Sequence, residues 1–530
     1  MAAAAPLPEN KQTTICIRHG TLLTIRPVWK GPLARRAELR LVTKGEYMFR
    51  SEKSHRGHGV RGAALAAALA MIAVSCGSDS KSSSSTAAPT TSAAVTTTAA
   101  GATATTGAAT ATTGAATATT GAATATTGAA TASTVTPGTG SAGGKVRGVT
   151  DKEVTIGGLS AITSAGGGYT GADVGAKARF ARVNAEGGIN GRMINYIGVK
   201  DDGEDSTKNL DLARQLVQKD DVFALAPVVG QGLLPASSDF LETNKVPFVG
   251  WGFMPGFCGT KFGFGFNGCI TPPAGNIVNT SLAGTLVQAL KLGAGDTVAV
   301  QGYDAEGGKL GADIVAAGFE KAGVKVVYKD TSMPTSDATD FTPFVQKIME
   351  SNGGKPPTAV AMVSLFNNTV GLTGSLTAAG FTGATMNYLT YVPGLLASSA
   401  QVAAAINGTY VNTQWLPQEF GGSAITQIQA DLKTIGADTT VGFGTSIGYW
   451  SADVLVQMLQ AVGPDLTPEN FDKVINGGWT YKPVGTPFGI GPVSYPQDHD
   501  QPTPCAALVQ VKGTEYKPVL PMTCYDILKK

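Results

Sequence analysis

The sequence predicts an α/β protein of two lobes, each a parallel sheet flanked by helices, carried behind a long unstructured tether. Three observations support this. From Val154 onward short β-rich runs alternate with helical patterns, which is the sequence form of βαβ units around a parallel sheet. The alternation restarts after Pro272-Pro273, so there are two successive blocks, and a cleft between two such blocks is where small ligands usually bind. Between Gly77 and Gly144 the chain is almost wholly Ala, Thr, Ser and Gly, a composition with nothing to bury.

In the first block Val154 to Leu159 is the opening strand. A helix follows over Gly171 to Glu186, with Val174, Ala178, Phe180, Ala181 and Val183 on its apolar face and a C-cap at Gly187-Gly188. Ile194 to Val199 is the second strand, and Asp205-Ser206 offers an N-cap to a helix through Leu210, Ala213 and Leu216. Val222 to Val229 is an apolar run of the kind buried on both faces of a parallel sheet, and Pro247 to Gly250 is a short strand. The second block gives a helix over Gly275 to Leu292, a strand Thr297 to Gln301 and a helix Leu310 to Ala322. Further strands fall at Val324 to Tyr328, Thr358 to Val363 and Thr409 to Gln414.

The N-terminal part has a different grammar. Residues 1–47 show no sustained apolar period and are expected to lie upstream of the true start, at Met48. Arg50, Lys53, Arg56 and Arg61 form a positive n-region, and Ala63 to Val74 is an uncharged apolar run shorter than the ~20 residues a spanning helix needs, so residues 48–75 read as an export signal. Ala73-Val74-Ser75-Cys76-Gly77 resembles a bacterial lipobox, with Ala73 where leucine is usual, and makes Cys76 the expected lipid anchor to the membrane. The tether over residues 76–145 contains a seven-residue repeat, GAATATT, marked by Gly107, Gly114, Gly121 and Gly128. With no large apolar residue at either seam position it cannot be a coiled coil. As a flexible chain of roughly 70 residues it has an r.m.s. reach of about 45 Å.

Composition excludes several classes of function. A formal net charge of +2, with no basic stripe interleaved with aromatics, leaves nucleic acid without a binding surface. Of the four histidines only His499 lies beyond Cys76, in a Pro-Gln-Asp-His-Asp stretch that reads as a solvated turn. Neither a histidine-dependent triad nor a multi-histidine metal site is therefore expected, and no cofactor is. Gly302 to Leu310 follows a strand in the manner of a phosphate loop, yet no Ser or Thr follows Lys309. The acidic group Asp201, Asp202, Glu204 and Asp205 lacks the spacing of a calcium loop and reads as a turn with an N-cap. An enzyme is not expected.

Three stretches carry a family resemblance: Gly148-Val149-Thr150-Asp151-Lys152-Glu153-Val154-Thr155-Ile156-Gly157, then Asn184-Ala185-Glu186-Gly187-Gly188-Ile189-Asn190-Gly191-Arg192, then Asp201-Asp202-Gly203. Over about Val146 to Asp526 the chain is similar to the type I periplasmic binding proteins of the leucine/isoleucine/valine-binding class. The resemblance implies two Rossmann-like lobes joined by three crossovers, lobe one being residues 146–273 and 417–487 and lobe two 274–416 and 488–530. It also implies a monomeric receptor that closes on a small solute and delivers it to an ABC permease. A ligand sensor or surface scaffold on the same fold is the alternative.

Four cysteines follow the anchor, and an even number in an exported domain reads as disulfides, for which three pairings are possible. Proximity and the lobe assignment favour Cys258 with Cys269 and Cys505 with Cys524. A zinc site of all four would need paired CxxC spacing, which is absent.

In open parallel sheets ligands bind beyond the carboxyl ends of strands. That rule selects the loop Thr163 to Tyr169, with Ser164 and Tyr169; the Gly230-Gln231-Gly232 turn; Trp251-Gly252-Phe253; and, from lobe two, Tyr303-Asp304, Phe366-Asn367 and Tyr391. The resemblance implies hydroxyl residues in lobe one for an α-carboxylate, with an acid and tyrosines in lobe two for the α-amino group. Here Val229-Gly230-Gln231 stands in the hydroxyl-rich loop, Gly307 where tyrosine is common, and Tyr391-Val392-Pro393 where the acid would be. An uncompensated ammonium in a closed cleft costs several kcal/mol, so either Asp304 replaces the acid and an amino acid binds, or the solute is an amide, a carboxylate or an aromatic compound.

Overall fold

The computed structural model describes residues 145–163, 169–230, 233–272 and 277–529, together with four strands near the N-terminus. Those four, β1 (Thr13–Ile17), β2 (Thr21–Trp29), β3 (Arg35–Thr43) and β4 (Gly45–Glu46), form an antiparallel meander within the stretch expected to precede the start. The export signal, Cys76 and the tether lie outside the described residues.

The first block builds a five-stranded, all-parallel sheet from β5 (Glu153–Ser160), β6 (Met193–Asp201), β7 (Ala224–Val229), β8 (Phe248–Gly250) and β9 (Gly263–Gly265), in the order β6-β5-β7-β8-β9. Every residue of β7 is buried, as its unbroken apolar run requires in a central parallel strand. Helix α1 (Ala172–Ala185) ends where Gly187 and Gly188 take φ of 101° and 79°. Helix α2 (Ser206–Gln218) starts on the expected cap, Asp205 Oδ1 accepting the Thr207 and Lys208 amides at 2.8 and 3.0 Å. Helix α3 (Pro235–Thr243) follows β7.

The second block opens with β10 (Ile277–Asn279), and α4 (Ser281–Leu290) begins only after it. The start of the helix expected over Gly275 to Leu292 is thus a strand, because Ile277 and Val278 are drawn into pairing with the C-terminal β20 (Ile527–Lys529). Strands β11 (Thr297–Tyr303), β12 (Lys325–Met333), β13 (Ala359–Val363), β14 (Ala384–Asn387) and β15 (Tyr410–Thr413) run parallel, with α5 (Glu306–Lys321), α6 (Thr342–Glu350), α7 (Phe366–Ala378), α8 (Pro393–Ser398) and α9 (Ala400–Ala405) between them. This sheet is not wholly parallel. The hairpin β18 (Cys505–Lys512) and β19 (Glu515–Cys524) adds antiparallel to β15, giving the order β12-β11-β13-β14-β15-β18-β19.

Between β15 and that hairpin the chain returns to the first lobe through α10 (Gly422–Thr434), α11 (Phe443–Val462), α12 (Pro468–Ile475) and the short pair β16 (Trp479–Thr480) and β17 (Ser494–Tyr495). Helix α11 crosses α1 at backbone contact: a Cβ on Gly175 would stand 2.2 Å from the Thr445 carbonyl oxygen, and one on Gly448 1.9 Å from that of Ala172. Under this crossing lies a buried charge network. Arg179 Nε meets Asp453 Oδ1 at 2.5 Å, Tyr481 donates to Asp453 Oδ2 at 2.6 Å, and Tyr449 donates to Asp431 Oδ2 at 2.6 Å, while Arg182 bridges the two aspartates at 3.4 and 3.6 Å. Burial, the largest single influence, lowers the Arg179 pKa, but the charge and hydrogen bond of Asp453 together with Tyr449 and Glu186 make the net shift upward.

Two sequence expectations are corrected here. Residues 488–503, assigned to lobe two, pack on the first lobe: Tyr495 donates to the Gly265 carbonyl at 2.6 Å, and Pro502 bridges Gly268. The last crossing therefore falls just before Cys505. His499, read as a solvated turn residue, is 6% exposed, with Nδ1 at 3.0 Å from the Gly263 carbonyl and Nε2 at 2.7 Å from Asn476 Oδ1. Those partners lie far off in sequence, so local polarity misled.

The pair Asp498-His499 gives a prediction for pH. Burial lowers the His499 pKa from 6.5 to about 4, so its contribution to stability is present above 6.5 and is lost as pH falls toward 4. Burial raises the Asp498 pKa from 3.8 to about 6, so its contribution is present below 3.8 and is lost as pH rises through 6. Between about pH 4 and 6 the two slopes offset each other. In Asp498→Asn only the histidine slope remains, and urea unfolding should show this variant losing about 2 kcal/mol more than wild type between pH 6.5 and 4, the aspartate's lost offset. Parallel curves would refute the assignment.

The structure contains the disulfides Cys258–Cys269, with Cα atoms 5.1 Å apart, and Cys505–Cys524, whose residues face each other across the β18–β19 ladder. They close loops of 11 and 19 residues. Replacing both members of either pair with alanine is expected to lower unfolding free energy by about 2–4 kcal/mol, measured by denaturant melts.

Candidate functional site

The carboxyl ends of β8, β11, β13 and β14 meet where the two lobes face each other. Lobe one contributes Trp251 and Phe253, from the turn after β8, stacked with ring centroids 4.9 Å apart and planes 13° apart. Phe443, at the start of α11, stands edge-on to Trp251 at 5.3 Å, to Trp415 at 4.9 Å and to Tyr169 at 5.7 Å. Lobe two contributes Tyr303 at the end of β11, Val363 and Ser364 at the end of β13, and Tyr388 and Leu389 after β14. These side chains enclose two small compartments side by side. One is bounded by Trp251, Phe253, Tyr303, Ser364, Tyr388 and Leu389; the other, sharing Trp251, Phe253 and Tyr388, is completed by Ile270, Leu282, Gly311, Val315 and Gln414. As the side chains stand, each has room for about one water molecule. The lobes are closed on each other.

Glycine makes this closure possible. A Cβ on Gly307 would lie 2.8 Å from Met254 Cε, and one on Gly311 would lie 3.3 Å from Phe253 Cζ and 2.8 Å from Val363 Cγ1. Helix α5 thus presents bare backbone to the aromatic turn of the opposite lobe.

The site is wired to the hinge. Trp251 Nε1 donates to Gln414 Oε1 at 3.0 Å, Gln414 Nε2 donates to Asn412 Oδ1 at 2.8 Å, and Asn412 Nδ2 donates to Thr285 Oγ1 at 2.8 Å and the Ser281 carbonyl at 3.1 Å. These bonds form a continuous line from Trp251 through β15 to α4 of lobe two. Tyr388 is fixed by donation to the Leu282 carbonyl at 2.9 Å.

Of the residues expected from the sequence, Trp251 lines the compartments and Tyr169 lies behind its aromatic cluster. Gly252 adjoins the site without offering a side chain; its amide is held by Asn267 Oδ1 at 2.9 Å, and a Cβ there would meet the Gly268 carbonyl oxygen at 1.7 Å. Gly230, at φ 132°, ends β7 against Ala161. Ser164 and Gln231 lie outside the described residues.

The lobe-two expectations fare differently. Asp304 is exposed and paired with Lys309 Nζ at 2.7 Å, because the alternation of β11 turns Tyr303 toward the cleft and its neighbour away. Asn367 donates to both carboxylate oxygens of Asp337 at 3.1 and 3.0 Å, and Phe366 begins α7 without bordering either compartment. Tyr391 is fully buried at the hinge, donating to Glu419 Oε2 at 2.7 Å and accepting from the Gln418 amide at 2.9 Å. Burial raises both the Tyr391 hydroxyl and the Glu419 carboxyl above their ordinary ranges. Tyr391 borders neither compartment.

Ser364, Tyr388 and Leu389 escaped sequence reasoning. The strand-end rule could have found Ser364, directly after Thr358 to Val363; nothing local marked Tyr388. A groove of about 560 Å³ runs outside the cleft between α5 and the edge strand β12, lined almost wholly by lobe two and open to solvent. Among the described residues no three His, Cys, Asp or Glu side chains gather as a metal ion would need.

A family model described as periplasmic binding protein matches residues 153–515. Among solved structures, a fatty acid ABC transporter substrate-binding protein from Thermomonospora curvata is 17% identical, covering 72% of this chain and 95% of its own with a TM-score of 0.58. A solute-binding protein from Rhodopseudomonas palustris HaA2, in complex with p-hydroxybenzoic acid, is 17% identical over 70% of this chain and 97% of its own, with a TM-score of 0.57. A branched-chain amino acid ABC transporter protein from Thermus thermophilus with bound valine is 14% identical over 71% and 98%, with a TM-score of 0.55. No curated protein matches the chain.

Proposed function

We propose that this chain, which belongs to the periplasmic binding protein family, captures a small solute between its two lobes outside the cytoplasm and delivers it to an ABC permease. The observation that carries this reading is the pair of compartments walled by side chains of both lobes, Trp251 and Phe253 against Tyr303, Val363 and Tyr388. With room for about one water molecule in each compartment as the side chains stand, a solute must part these walls to enter, after which it touches both lobes and its binding energy holds them together around it. The closed form then offers a permease a surface that the open form does not. Relatives of this fold bind solutes as different as p-hydroxybenzoic acid and valine, which supports the role and leaves the solute to the walls of this cleft.

Cys76 is the proposed lipid anchor, and the tether gives the receptor its reach. Cys76→Ala is expected to move the protein from the membrane fraction to the soluble exported fraction; retention in the membrane would refute the anchor. Capture itself is tested by fluorescence. Titration with a low-molecular-weight extract of the host should shift tryptophan emission in wild type and leave Trp251→Phe almost silent, and a wild-type protein that does not respond would contradict the reading.

A further inference from the structure

The walls of the cleft say what kind of solute fits, given that the cleft is the solute site. None of the side chains bounding the two compartments is an Asp, Glu, Lys, Arg or His. Segments 164–168 and 231–232, outside the described residues, contain no charged residue in the sequence. Asp304, the one acid expected nearby, is taken by Lys309 in solvent.

One polar atom is conspicuous. Ser364 is 3% exposed, and its Oγ, on the wall formed with Trp251, Phe253, Tyr303 and Tyr388, has no hydrogen-bond partner in the protein. Its backbone is pinned, since Thr369 Oγ1 donates to its carbonyl at 2.9 Å. A buried hydroxyl left unpaired is unfavourable unless something else satisfies it.

We propose that Ser364 Oγ is the polar anchor of the cleft, and that the solute is a neutral, mostly apolar molecule whose hydroxyl or carbonyl group pairs with it. A zwitterion would bury an ammonium with no carboxylate, and a carboxylate would find no cation among the side chains that bound the two compartments. A neutral group needs one partner and finds one. The aromatic walls take its hydrocarbon body by stacking and edge contacts.

Calorimetric titration of the full chain with two matched sets of ring compounds tests this: phenol, benzyl alcohol and toluene against benzoate, benzylamine and phenylalanine. Phenol or benzyl alcohol should bind at least about tenfold tighter than every charged member, and Ser364→Ala should weaken them about fivefold while leaving toluene unchanged. Since Ser364→Ala removes an unsatisfied buried hydroxyl, its melting temperature should equal or exceed that of wild type. Tighter binding of benzoate or phenylalanine would overturn the neutral class while leaving solute capture intact. Unchanged phenol affinity in Ser364→Ala would overturn the anchor. If no ring compound binds, the proposed class is wrong, and the extract titration on Trp251 decides separately whether capture stands.

Discussion

Replacing Asp453 with alanine is expected to lower the unfolding free energy by about 3–5 kcal/mol, the largest stability loss of any single polar substitution in the first lobe. Asp453 is 1% exposed and holds Arg179, Arg182 and Tyr481 together beneath the α1–α11 crossing. Its removal leaves the Arg179 guanidinium buried with its charge uncompensated, and Nη1 of that group already lacks a partner. The close backbone contact at Gly175 and Gly448 leaves water no easy path to it. Asp453→Asn keeps the shape and part of the hydrogen bonding and should lose less. The double variant Arg179→Met, Asp453→Leu should recover much of the loss, because removing both charges removes the desolvation cost of each. Denaturant melts of the three variants check this; additive losses in the double variant would show that the charges do not act as a pair.

The second large effect concerns binding. Gly311→Phe is expected to reduce solute affinity by at least ~100-fold, with a loss of about 1–3 kcal/mol of stability in lobe two. The new ring occupies the compartment that Phe253 and Val363 enclose, and a Cβ alone at this position already meets both. Moving the lobes apart relieves the contact with Phe253, but Val363 belongs to the same lobe as Gly311, and crowding against it remains at a cost of about 1–3 kcal/mol. The variant should therefore have a larger radius of gyration by small-angle scattering, together with a modestly lowered denaturant midpoint. A variant that stays closed and binds normally would place the solute elsewhere.

Much of this architecture was legible along the chain, because local signals and the final fold agree at those places. β-branched runs became parallel strands, Gly187-Gly188 ended α1, and Asp205 capped α2. The β18–β19 hairpin was announced by Gly513 between two β-rich runs, at φ 61°, and went unread. The candidate site was less legible for a physical reason. A strand-end loop is visible in sequence, but which of two adjacent residues faces the other lobe depends on the pleat. That alternation separates Tyr303 from Asp304, and the start of α7 separates Ser364 from Phe366 and Asn367. His499 was misread, and the burial of Tyr391 at the hinge was not visible, because their partners, Gly263 and Glu419, arrive through chain crossings that no local pattern specifies.

Closure around a neutral solute unites these features: bare glycine backbone on α5, aromatic walls from both lobes, and the line of hydrogen bonds from Trp251 through Gln414 and Asn412 to α4. The most direct test is a crystal structure of the protein purified from its own host with the solute it retains. Density for that solute touching both Trp251 and Tyr388 is the predicted result; density instead in the outer groove between α5 and β12 would contradict the account.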